Sequence, residues 1–283
     1  MPTTEREFSA TTPDGELVGW LREADGAKGN ALLLHGGPGL SEYLSTLSDE
    51  LDGVVTTARY QQRGLAPSAV AGDVSIEGHV ADAVAVMDAL GWQKPIVIGH
   101  SWGGHLALHL AAAHPERIGA LVILDALGAT GDGGQAEFGP ALRAGLSPKD
   151  LARLEELEAI EEPTEDEQRE HLGTLWPQYF GDPAGAPKMP PLRFAMNGGA
   201  TWASIQAHFE ARTLELALPG ASIPTLIIHG SRSPIPLEQA QQMATLMPNA
   251  ALVVHDAKGH WAWLEEPGFV RSQLEDFLAS LSD

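Results

Sequence analysis

The sequence predicts an α/β fold: a mostly parallel, eight-stranded sheet with helices on both faces and an inserted helical cap. Three observations lead there. Short apolar runs recur at Glu16–Leu21, Ala31–His35, Val54–Tyr60, Pro95–Gly99, Ala120–Leu124, Thr225–Gly230 and Ala251–Asp256, with a further edge strand near Arg6–Ser9. Helix-compatible stretches at Ile76–Leu90, Gly103–Ala113, Leu237–Met247 and Phe269–Leu281 alternate with them, the pattern of a sheet built from crossover units. From about Gly128 to His208 the alternation stops: a turn with Gly131, Gly133 and Gly134, acidic helical stretches and the prolines Pro183, Pro187, Pro190 and Pro191 take its place. The expected division is a core of residues 1–127 and 209–283 with a cap of residues 128–208 between them.

Composition narrows the function classes. The 283 residues suit one sizeable core with an insertion, and 43% hydrophobic with 19% charged residues is ordinary for a globular chain. No run approaches the roughly 20 apolar residues that span a bilayer, and Met1 to Ala10 lacks the basic start and apolar stretch of a signal peptide. Cysteine is absent, which excludes disulfides, thiolate metal sites and a cysteine nucleophile. A cytoplasmic protein is the expectation. The net charge of −21, from 38 acidic and 17 basic residues, repels phosphate backbones and anionic lipid, so neither nucleic acid nor membrane is an expected partner. Between Asp150 and Glu170 acids far outnumber Arg153 and Arg169, a bias that reads as a solvated helix face. Oligomeric state leaves no mark in the sequence.

Three motifs carry chemistry. Gly99-His100-Ser101-Trp102-Gly103 has the form G-x-S-x-G; it follows the apolar run Ile96–Ile98 and precedes a helix-compatible stretch. Strand, sharp turn and helix are the setting in which such a serine is pushed into a site as nucleophile, and the helix N-terminus favours developing negative charge. His35-Gly36-Gly37-Pro38-Gly39 follows a strand; the amides of Gly37 and Trp102 are the expected oxyanion hole. Gly259-His260-Trp261 follows the last strand. A serine hydroxyl needs a neighbouring base, and histidine, with an ordinary pKa of about 6.5, suits that task. Among the candidates, His35 sits in the oxyanion turn, His100 on a strand end, His105, His109 and His114 on the helix behind the serine, and His229 at a strand end. His260 occupies a loop and is the expected base.

With these motifs in place, the chain resembles the α/β-hydrolase superfamily over nearly its whole length. His35–Gly39 resembles the HGGPG turn of its prolyl iminopeptidase-like branch, and Gln61-Gln62-Arg63-Gly64 resembles that branch's DQRG segment, with Gln61 where aspartate is usual. Trp176-Pro177-Gln178-Tyr179-Phe180 resembles runs in a group of actinobacterial hydrolases. The resemblance implies a Ser–acid–His triad, a helical cap and no cofactor; a small-molecule substrate and no metal are expected with it.

The acid departs from pattern. In the superfamily it usually follows the strand read here as Thr225–Gly230, where Gly230-Ser231-Arg232-Ser233 puts Ser233. The family's alternative is the end of the strand after the nucleophile helix, here Asp125. The order Ser101, Asp125, His260 keeps the superfamily's chain order; a plain strand-end cap is the competing role for Asp125, and Asp256 reads as the end of its own strand. The expected function is hydrolysis of a small carboxylic ester, lactone or amide through an acyl-enzyme, with an iminopeptidase-type aminopeptidase next. A catalytically silent ligand-binding protein is the alternative from another class, supported by Ser233. Trp176, Tyr179, Phe180 and Trp202 are expected either to wall the pocket or to pack the cap's own core.

Overall fold

The computed structural model describes residues 5–195 and 198–281. Residues 1–4 and 282–283 of the expected core, and 196–197 of the expected cap, lie outside that description. The strands are β1 (Glu5–Thr12), β2 (Gly15–Arg22), β3 (Asn30–Leu34), β4 (Thr56–Tyr60), β5 (Ile96–His100), β6 (Ala120–Leu124), β7 (Thr225–Gly230) and β8 (Ala250–His255). They form one sheet in the order β1-β2-β4-β3-β5-β6-β7-β8. β1 and β2 pair antiparallel, as do β2 and β4; every other pairing is parallel. Leu33 stands opposite Ile98, Ile98 opposite Val122, and Val122 opposite Leu226.

The helices are α1 (Ser45–Glu50), α2 (Ile76–Ala89), α3 (Trp102–Ala113), α4 (Gln135–Arg143), α5 (Pro148–Glu158), α6 (Glu165–Leu175), α7 (Gly198–Glu210), α8 (Thr213–Ala217), α9 (Leu237–Leu246), α10 (Ala262–Glu265) and α11 (Phe269–Ser280). Successive strand side chains point to opposite faces, and both faces are covered. Leu32, Leu34, Val97, Leu121 and Ile123 pack with Met87 of α2 and Leu106 and Leu110 of α3. Ala31, Leu33, Ile98, Val122 and Leu124 pack with Leu47 of α1 and Val270 and Leu274 of α11. Two buried faces explain why these strands read as unbroken apolar runs. Each fully buried leucine or isoleucine contributes about 1.5–3 kcal/mol.

Local differences from the sequence reading have simple causes. Val54 and Val55 precede β4, because their amides close a turn onto Leu51 O. α1 and α10 escaped notice because helices of six and four residues show no period and form only through tertiary packing.

Between β6 and β7 the chain runs through α4 to α8. Leu142, Leu154 and Leu175 make a small separate core there. This segment reaches back over the sheet's carboxyl edge: Phe194 bridges Leu40, and Ser41 N–H donates to Arg193 O at 2.9 Å. Ile205 of α7 is wholly buried in the cluster that holds α3. The acidic stretch forms exposed faces of α5 and α6, where Arg153 holds Glu156 at 2.8 Å and Glu170 at 2.7 Å. Among the described residues no helix is long and apolar enough to cross a membrane.

Candidate active site

The chain leaves β3 toward β4 on one side and returns to β5 on the other. In parallel α/β sheets the crevice above such a switch, at the carboxyl ends of the strands, is where ligands bind. Ser101 follows β5, Asp125 follows β6, and the Gly37 turn, Ser233 and His260 lie shortly after β3, β7 and β8. Ser101 adopts φ 58° and ψ −125° at the N-terminus of α3, a left-handed conformation that costs a non-glycine residue about 1–3 kcal/mol and signals a site under constraint. The turn is possible because Gly103 lies against β3: a Cβ there would meet Leu34 O at 2.0 Å. Gly37 has φ +138°, backbone that favours glycine.

Asp125 is also left-handed, with φ 44°. Its Oδ1 stands 2.8 Å from His260 Nδ1 and accepts the Ser233 hydroxyl at 2.5 Å; its Oδ2 accepts the Gly230 amide at 2.8 Å. Nδ1 of His229 lies 3.7 Å from Oδ2. Burial pushes this carboxyl up, but His229, His260 and the Ser233 hydroxyl outweigh it and hold it at about 2. Ser233, at the position usual for an acid, thus supports a carboxylate that arrives from the neighbouring strand. The His260 amide donates to Tyr179 O at 2.7 Å, and Glu265 accepts the amides of Gly259 at 2.7 Å and Gly181 at 2.9 Å, so the His260 loop is tied to the segment after α6.

The two expected oxyanion donors are braced by one side chain. Gln62 Nε2 donates to His35 O at 2.8 Å, Gln62 Oε1 accepts the Trp102 indole N–H at 2.9 Å, and the Gln62 amide donates to His35 Nε2 at 3.2 Å. His35 Nδ1 then carries the proton given to Gly36 O at 2.8 Å, and burial lowers this imidazole's pKa to about 4. A second chain links the same turn to His260. Gly36 N–H donates to Tyr43 Oη at 2.7 Å, Tyr43 Oη donates to His100 Nδ1 at 2.7 Å, and His100 Nε2–H donates to His260 O at 2.9 Å. Each donor has one acceptor, and burial keeps His100 neutral by pushing its pKa well down.

Ser101 and His260 line one inner cavity of about 80 Å³, with Gly37 at its rim. Its walls are mostly apolar and include Leu127, Phe138, Leu172, Trp176, Trp202 and Ile235. An outer chamber of about 480 Å³ shares Gly37, Leu40, Phe138, Leu172, Tyr179 and Trp202 with it and adds Glu158, Glu167 and His171. Of the four aromatics singled out in the sequence, Trp176, Tyr179 and Trp202 line the cavity, whereas Phe180 packs in the core beneath them.

The structure brings Ser101, Asp125, His260, Gly37 and Trp102 to one sheet edge. Sequence reasoning gave no role in the site to Gln62, Tyr43 or Glu265, and read His229 only as a strand end. Gln62 sat inside a recognised motif without a role; Tyr43 and Glu265 carry no local signal, since their partners are far off in sequence.

A family model described as the alpha/beta hydrolase fold matches residues 32–267. The chain is 32% identical over 206 residues to a 2-hydroxymuconate semialdehyde hydrolase of Pseudomonas putida, covering 71% of this chain and 68% of that one. Its fold is similar to that of an alpha/beta fold family hydrolase from Bacillus anthracis str. Sterne, with a TM-score of 0.75, 16% identity and coverage of 98% and 99%. A proline iminopeptidase of Mycobacterium smegmatis is similar at a TM-score of 0.68, with 22% identity and coverage of 96% and 98%. At such identities the structural likeness speaks for fold and leaves the iminopeptidase branch a resemblance. The chain belongs to the α/β hydrolase fold family.

Proposed function

We propose that this protein is a serine hydrolase that cleaves a small carboxylic ester or lactone through an acyl-enzyme, with Ser101 as nucleophile, His260 as base and Asp125 as the orienting acid. The observation that carries the reading is the 2.8 Å contact of His260 Nδ1 with Asp125 Oδ1, beside a left-handed Ser101 that lines the same cavity as His260. Ser101 Oγ attacks the carbonyl carbon while His260 Nε2 takes its proton; the carbonyl electron pair moves onto oxygen, where the Gly37 and Trp102 amides receive it. The carbon–oxygen bond to the alcohol breaks as Nε2 returns the proton to it. Water then repeats the sequence and frees Ser101. The ionised Asp125 keeps the proton of neutral His260 on Nδ1, leaving Nε2 free as base.

Residues 128–208, part of the chain between β6 and β7, act in this reading as the lid. Trp176, Tyr179 and Trp202, which line the cavity, support that role.

The aminopeptidase reading needs a carboxylate to hold an ammonium; among the described residues none lines the inner cavity, and the two that line the outer chamber, Glu158 and Glu167, already have partners. Hydrolysis of a muconate semialdehyde, the activity named for the Pseudomonas putida relative, needs a counter-ion for a carboxylate; among the described residues neither chamber is lined by lysine or arginine. The silent-binder reading loses its motive, because Ser233 donates to Asp125. A fluorophosphonate probe tests the proposal: stoichiometric labelling of the wild type and none of Ser101→Ala is expected, and an unlabelled wild type refutes it.

A further inference from the structure

The two chambers differ in size, and among the described residues neither is lined by lysine or arginine. The inner cavity, at about 80 Å³, is about half the 150 Å³ apolar cavity that accepts one benzene ring. Among the described residues no Asp, Glu, Lys or Arg lines it. Of its polar groups, Tyr43 Oη bridges Gly36 and His100 and the Trp176 indole donates to Pro187 O at 2.7 Å, while the Trp261 indole N–H, an uncharged donor, has no partner among the described residues. The outer chamber carries only carboxylates as fixed charge, and both have partners. Glu158 pairs with Arg143 and with His171, the latter at 3.1 Å; Glu167 accepts the Thr164 amide and hydroxyl, each at 2.7 Å. Leaving an ionised group unpaired in an apolar pocket costs several kcal/mol, and the net charge of −21 opposes an approaching anion before that.

We propose that the site selects an uncharged substrate with a short acyl group, about two to four carbons, seated in the inner cavity, and a larger uncharged leaving group in the outer chamber. This rests on Ser101 being the nucleophile. The assignment of sides follows from the chemistry: the acyl group stays bonded to Ser101 while the alcohol departs and water arrives, so the alcohol takes the wider chamber.

The test uses the purified full chain and fluorophosphonate labelling of Ser101 as its first arm. The second arm compares p-nitrophenyl acetate, butyrate and octanoate. The third compares p-nitrophenyl hemisuccinate with p-nitrophenyl succinamate, in which an uncharged amide of the same size replaces the carboxylate. Labelling should succeed, kcat/KM should fall at least about 30-fold from butyrate to octanoate, and the hemisuccinate should trail the succinamate by about 100-fold or more. Leu172→Arg, which places a cation on the wall of both chambers, should narrow that gap at least about tenfold. Labelling with octanoate or hemisuccinate turned over as fast as its counterpart overturns this proposal and leaves the hydrolase reading standing. Labelling with none of the esters turned over overturns the substrate class. Absence of labelling overturns both.

Discussion

Gln62→Met keeps the side-chain length and removes both of its side-chain hydrogen bonds, to His35 O and the Trp102 indole. Those two buried groups lose their partners at about 1–3 kcal/mol each, so the fold should weaken by about 2–6 kcal/mol. The functional loss is separate. His35 precedes the turn that presents Gly37, and Trp102 presents the other expected amide, so the substitution loosens both walls of the oxyanion hole at once. Complete loss of one oxyanion donor costs about 10²–10³ in kcat; a hole that keeps its donors but loses their brace should fall short of that, at about 10- to 100-fold. The hole acts on the transition state, so KM should stay within about threefold. The assay is steady-state hydrolysis of p-nitrophenyl butyrate, normalised to fluorophosphonate-titrated sites so that unfolded molecules do not count. Trp102→Phe removes the indole donor, and in that background Gln62→Met should cost measurably less than in the wild type. Normalised kcat within about twofold of wild type would refute the brace, as would a loss confined to KM.

Ser101→Ala should lower kcat by about 10⁶ with the fold intact; near-normal turnover of p-nitrophenyl butyrate removes Ser101 from the mechanism. Asp125→Asn should cost about 10⁴ by stabilising the wrong imidazole tautomer, and adding Ser233→Asp should recover part of it by returning a carboxylate to the strand next door; unchanged kcat in Asp125→Asn assigns Asp125 a capping role only. Acid should unfold the protein early. Burial lowers the pKa of His35 and His105 to about 4 and of His79 to about 3, and pushes His100 and His109 well down. Folded values below the unfolded value of about 6.5 mean that their contribution is complete above that pH and is lost as pH falls through it, at up to about 1.4 kcal/mol per pH unit for each histidine. Against a typical total of about 5–15 kcal/mol, circular dichroism should show an unfolding midpoint between about pH 5 and 6; a midpoint below about pH 4 contradicts the neutral buried histidines.

The sequence by itself determined whatever rests on short-range pattern. The apolar runs of β3, β5, β6 and β7 and the periods of α2, α3, α9 and α11 were legible because a strand buried on both faces is mostly apolar and a helix must repeat its buried face. Ser101 was legible because its strained turn demands small neighbours within a few residues. Asp125 was nominated through the family resemblance, which places the alternative acid at the end of the strand after the nucleophile helix, with Ser233 standing at the usual acid position. Only the tertiary structure decided what Ser233 does there, because its partner lies 108 residues away. The same holds for Gln62, whose three contacts reach His35 and Trp102 across 27 and 40 residues, and for Tyr43, which meets His100 across 57. It also decided the pocket's charge: the acids of Asp150–Glu170 crowd the sequence, yet none lines the inner cavity, and the two that line the outer one, Glu158 and Glu167, are already engaged. Hydrogen bonds and pocket walls between distant segments depend on how α4 to α8 pack over the sheet's carboxyl edge, and no local periodicity encodes that placement.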